Sequence, residues 1–185
     1  MAKPVHPATI HFPIAFLMLA NGLDVLHHLY AYLPAFITST LPTSTDSAKA
    51  SYYLLSLALL TSIPAVISGG GEAMKMIQKS GMYEKDGSIR AKVKATIAHA
   101  VVNDVVIAAN TYIWYQRRLA VKESLSGKVG IDAAYRPETW MVLGEAVMTV
   151  LMLVGANIGG NLTYVFGIGL GGGNSLAPKA TSKLS

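Results

Sequence analysis

The stretch Ser51-Tyr52-Tyr53-Leu54-Leu55-Ser56-Leu57-Ala58-Leu59-Leu60-Thr61-Ser62-Ile63-Pro64-Ala65-Val66-Ile67-Ser68-Gly69-Gly70-Gly71 contains no Asp, Glu, Lys or Arg. A bilayer core is crossed by about 20 mostly apolar residues, and this run is long enough. A soluble helix would carry a polar face at 3.6-residue spacing, and none is present. In lipid every backbone polar group must be satisfied internally, so the segment is a helix. Pro64 is expected to kink it, and Gly69 to Gly71 to end it.

Three further segments flank this one. The first covers residues 7–32, with no charge between Pro4 and Leu23 and with Pro13 expected near the first turn, where proline costs little. Pro34 and Pro42 mark the following loop. A hydrophilic stretch from Glu72 to Lys94 precedes the third segment, residues 95–116, which is interrupted by His99, Asn103, Asp104 and Asn110 and stops at Arg117-Arg118. The fourth covers residues 140–160, and after Glu145 no charge appears until Lys179. Residues 171–185 read as a flexible tail containing Gly and Ser. The expected fold is all-α: an integral membrane four-helix bundle, up-down-up-down, forming a single domain over residues 1–170.

Composition agrees. Hydrophobic residues make up 52% and charged residues 14%, against about 25% charged in a soluble domain. Mean hydropathy is +0.42. The absence of cysteine excludes disulfides, iron–sulfur ligation, thiolate–zinc sites and covalent c-type haem. The net charge of +5 comes from loop residues flanking apolar runs, which points to lipid rather than nucleic acid as the partner. No cleavable signal peptide is evident, and the Ser-Lys-Leu near the end is not terminal, as a peroxisomal signal must be. Lys and Arg number nine on the side of the termini and six on the other, which places both termini in the cytoplasm.

Four alternating spans bring His6, His11, Gly69 to Gly71, His99, Gly159 and Gly160 to one membrane face. His99, Asn103, Val106 and Asn110 share one stripe of the third helix, and His11, Ala15, Met18 and Gly22 one stripe of the first. Gly155 and Gly159 form a small-xxx-small pair. Facing imidazoles beside small residues suit axial ligation of a b-type haem by His11 and His99, with His6 in support and Gly159 and Gly160 making room. Lys3, Arg90, Lys92 and Lys94 are candidates for the propionates. His6 stands five residues before His11, so a regular helix separates their directions. A non-helical start would instead let His6, His11 and His99 form a copper or zinc site. The ordinary use of such residues is structural: a histidine bonding a carbonyl, a glycine serving packing.

The opposite face holds Asp24, His27, His28 and Glu145. Adjacent His27 and His28 cannot sandwich one haem. Asp24 is expected to bond His27 or His28 locally, and Glu145 to sit favourably at a helix start. Asp104, mid-segment, is expected to face protein or water. Asn161-Leu162-Thr163 matches a glycosylation sequon too close to the bilayer to be used.

Two stretches, His6-Pro7 through His11-Phe12-Pro13-Ile14-Ala15 and Gly159-Gly160-Asn161-Leu162-Thr163-Tyr164-Val165-Phe166-Gly167-Ile168-Gly169, resemble the ends of the family called domain of unknown function 2231. The family pattern also has a histidine early in the third helix, which His99 matches. The resemblance covers Pro4 to Leu170 and implies a small four-helix membrane protein similar to b-type cytochrome membrane domains. It implies no settled activity. Some members are joined to Rieske-type domains, which implies electron transfer; this chain carries no such domain, so a redox partner would be a separate protein. The loop Gly81 to Arg90 and the tail after Leu170 depart from the pattern. The competing class is a non-catalytic membrane scaffold or assembly subunit, including a homo-oligomer. No nucleophile–base pair or phosphate loop is present, so no reaction is assigned.

Overall fold

The computed structural model describes residues 5–127 and 130–168. Its helices are α1 (Val5–Thr9), α2 (His11–Leu29), α3 (Ala35–Thr38), α4 (Ser44–Ser80), α5 (Ala91–Leu125), α6 (Ile131–Ala134) and α7 (Thr139–Tyr164), with a 3-10 turn at Tyr30–Tyr32. There is no strand among the described residues, only one isolated bridge between Tyr83 and Ile89. The expected tail, residues 171–185, lies outside them.

The expectation of four membrane-crossing segments is met for three. Val5–Tyr32, Ser44–Ser80 and Thr139–Tyr164 are long and apolar enough to cross a bilayer. The helix α5 is long enough, but His99, Asn103, Asp104, Asn110 and Arg117 make it more polar than the other three.

Two boundaries differ from expectation for identifiable reasons. Gly69 to Gly71 do not end α4. Packing against α1 and α2 carries the helix through them and through Pro64 to Ser80, where Gly81 (φ 73°) supplies the left-handed stop. Nor do Arg117 and Arg118 end α5, which continues to Leu125 because Arg117 is an interior residue. The loop from Gly81 to Arg90 is ordered: Asp86 accepts from the Ser88 backbone N–H and hydroxyl at 2.9 and 2.7 Å, and Arg90 pairs with Glu84 at 3.3 Å.

The helix α2 packs chiefly along α4, and α5 along α7; the two pairs touch each other less extensively. All four long helices feed one core: Leu17 and Ala20, Leu55 and Ala58, Val106 and Ile113, Met141 and Met152. At one end Tyr52, Ala48 and Tyr135 add a small aromatic cluster.

The two pairs repeat one another. Asp24 and Arg117 are 93 positions apart. The same offset relates His6 to His99, and the buried residues Pro13, Leu17 and Ala20 to the buried Val106, Asn110 and Ile113. A second constant offset relates α4 to α7: buried Ser51, Leu55, Ser62 and Ala65 match buried Met141, Glu145, Met152 and Gly155, and Gly69 matches Gly159. Each half is therefore a helical hairpin with the same inward stripe, one carrying His6 and Gly69, the other His99 and Gly159.

Candidate functional site

Pro13 has no N–H to give the Thr9 carbonyl, so the first span bends between α1 and α2 without unwinding. Ile10 N still reaches the His6 carbonyl at 3.2 Å, and Ile14 N the Ile10 carbonyl at 3.3 Å. This near-helical path puts His6 on the inward stripe with Pro13 and Leu17. His11 falls on the other side and is exposed, as are Ala15, Met18 and Gly22. The stripe expected to face the core is thus the outward face of α2, and the residue brought to His99 is His6 rather than His11.

His6 Nδ1 lies 3.0 Å from the Ala65 carbonyl oxygen and 3.2 Å from Ser68 Oγ. His99 Nδ1 lies 2.9 Å from the Gly155 carbonyl oxygen. A carbonyl only accepts, so each Nδ1 carries a ring proton, and in the neutral ring Nε2 has the lone pair. In both halves the accepting carbonyl stands four residues before the glycine on which the ring rests. A Cβ at Gly69 would meet His6 Cε1 at 2.8 Å, and one at Gly159 would meet His99 Cε1 at 2.8 Å. Only glycine leaves room for these rings. Asn103, on the His99 stripe as expected, donates to the His99 carbonyl at 2.7 Å and lies against Gly155. Its distance to His99 Nε2, 3.5 Å, is at the limit of hydrogen bonding.

The two rings meet edge to face with centroids 6.3 Å apart and planes at 87°. Gly160 has open space where a Cβ would stand, so only Gly159 of that pair touches the site. Arg90 is engaged with Glu84 and the Tyr83 carbonyl; Lys3 lies outside the described residues.

At the other end of the molecule a second polar group is closed from solvent. Asp24 and Glu145 are 0% exposed and Arg117 is 1% exposed. Arg117 Nη1 donates to Asp24 Oδ2 at 2.7 Å. Its Nη2 donates to Ser51 Oγ and to the carbonyls of Ala48 and Tyr135, at 2.8, 2.9 and 3.0 Å. Ser51 Oγ in turn donates to Asp24 Oδ1. Asp24 therefore does not bond a neighbouring histidine as expected. His27 Nδ1 bonds Ser44 at 2.8–2.9 Å, and His28 Nε2 lies 3.3 Å from Thr139 Oγ1. Asp104 is exposed on α5. The Tyr135 phenol, outside the spans, shares a 3.2 Å hydrogen bond with Tyr53, and this bond and burial push it up to about 12.

A family model described as a predicted membrane protein, DUF2231, matches residues 2–172. The chain belongs to the DUF2231 family. No curated protein and no solved structure matches it.

For this DUF2231 protein, membership agrees with the three apolar spans and makes it a predicted integral membrane protein. Among the described residues no three His, Asp or Glu side chains stand close enough to share a metal ion, so His6, His11 and His99 do not form one cluster. Sequence reasoning missed Arg117 and Asn21. The signal for Arg117 was present: it repeats Asp24 at the offset that relates the two histidines.

Proposed function

We propose that this protein is a four-span membrane protein that holds one b-type haem between His6 and His99 and passes single electrons through it. The spans run up-down-up-down. Supporting this, the N-terminal His6 meets the late α4 residues Ala65 and Ser68, and the early α5 residue His99 meets the late α7 residue Gly155. The core cluster draws on α5 as fully as on the other three helices.

One observation carries the haem reading: two equivalent histidines, one per hairpin, each turn Nδ1 to a helix carbonyl and so leave Nε2 to a ligand. The two ring centroids stand 6.3 Å apart, and these two residues would hold the haem iron. In this reading the Ala65 and Gly155 carbonyls hold the rings by their Nδ1 protons, which also strengthens each Nε2 as a ligand. Gly69 and Gly159 let the rings lie against α4 and α7. Bound haem would supply one-electron chemistry; a separate redox protein would supply or remove the electron.

The test is the visible spectrum of protein expressed with ample haem and reduced with dithionite. Soret and α bands are expected, lost in His6→Ala and His99→Ala and kept in His11→Ala and His27→Ala. Folded protein without these bands, or bands that survive His99→Ala, would overturn the reading.

A further inference from the structure

The buried group at the far end of the molecule contains two carboxyls and one guanidinium. If all three were ionised, one negative charge would be left without a counterion inside the fold. One guanidinium carries one positive charge, which cannot balance two carboxylates. Arg117 Nη1 is spent on Asp24 and its Nη2 on Ser51 and two carbonyls, while Nε has no partner. Asp24 is fully served, by Arg117 and by Ser51. Glu145 is not: neither carboxyl oxygen receives a hydrogen bond, and the residue is 0% exposed.

Besides Arg117 Nε, a buried acceptor also lacks a partner in this group. Asn21, 5% exposed, anchors α2 to α7 by donating Nδ2 to the Glu145 carbonyl at 3.3 Å and to Thr149 Oγ1 at 2.8 Å. Its Oδ1 is then a buried acceptor with no donor. From α2 the charged neighbour of Glu145 is Asp24, and from α5 it is Arg117. A turn further along α2, His27 Nδ1 bonds Ser44 and His28 Nε2 lies against Thr139, while His28 Nδ1 is buried without a partner. An isolated buried carboxylate in such a setting takes up a proton instead of remaining charged.

We propose that Glu145 is a proton-binding site inside the bundle: a neutral carboxylic acid beside the Asp24–Arg117 ion pair, with the proton as its ligand. Protonation brings the group's net charge to zero. The site is independent of the histidine pair, which lies about 27 Å of helical rise away along the first span.

The test is infrared spectroscopy of the full chain in vesicles at neutral pH, in H₂O and D₂O. A carboxylic-acid C=O band that shifts in D₂O is expected in the parent and absent in Glu145→Gln. Glutamine is the neutral isostere of the acid, so this variant is expected to keep the parent's thermal midpoint. An unchanged acid band in Glu145→Gln, or a variant that fails to fold, overturns the proposal. A parent acid band that appears only when sodium is replaced by choline would also overturn it, in favour of a bound cation.

Discussion

Asp24 and Arg117 hold the same position in the two hairpins and form a 2.7 Å ion pair, both almost wholly buried. Removing one partner leaves the other charge stranded. Arg117→Met is expected to destabilise the protein by about 3–5 kcal/mol, whereas the double variant Asp24→Leu with Arg117→Met should recover most of that loss. Denaturation of the purified variants in mixed micelles measures both, and an additive double variant would contradict the pairing.

Gly69 and Gly159 invite a comparison with their neighbours Gly70 and Gly160. Alanine at Gly69 or Gly159 must push a histidine ring aside and break its Nδ1 bond, costing about 0.5–1.5 kcal/mol. The gain in helix propensity, about 1 kcal/mol, offsets this. Stability should therefore hardly change, while the ring resonances of His6 or His99 shift in NMR spectra and any haem bands weaken. At Gly70 and Gly160, where a Cβ meets nothing, alanine should stabilise by up to about 1 kcal/mol and leave the rings untouched.

The absence of native cysteine makes topology directly readable. Single cysteines at the exposed positions Ser39, Ser88 and Ser126 report the three loops. If α5 crosses the bilayer, an impermeant thiol reagent labels Ser39→Cys and Ser126→Cys from one side and Ser88→Cys from the other. Labelling of Ser88→Cys and Ser126→Cys from the same side would mean that α5 does not cross.

Tyr135 should titrate late. Its folded value, about 12, lies above the ordinary 10, so the stabilisation of the protonated phenol is complete below pH 10 and is lost as pH rises towards 12. Phenolate absorbance, taken as the difference between parent and Tyr135→Phe, should show this late step. Tyr53→Phe should move it to lower pH by removing the hydrogen bond.

How far the sequence revealed this molecule depends on the residue. The apolar runs around Leu17, Leu55 and Met152 gave three spans directly, because length and the lack of charge decide membrane helices. Helix ends were harder: Gly69 to Gly71 read as a stop, but α1 and α2 packed against α4 outweigh the weak propensity of glycine. The His99 stripe was legible from its spacing along one regular helix. The choice of His6 over His11 was not, since it depends on how little Pro13 bends the first span. Arg117 was misplaced because its neighbour Arg118 and the loop beyond make it look like a boundary residue. Its role becomes visible only when the two halves are overlaid, and few identities survive to prompt that: one histidine, a glycine pair, little else.

The halves differ most sharply where they are most alike in place. A carboxylate stands at the matched position in one hairpin and a guanidinium in the other. Two copies of the first hairpin, docked in the same way, would press carboxylate against carboxylate; two copies of the second would press guanidinium against guanidinium. The first match has no counterion within it, and the second only the carboxyl of Glu145 on α7. At this position each hairpin meets in the other half the opposite charge, which a copy of itself would not supply.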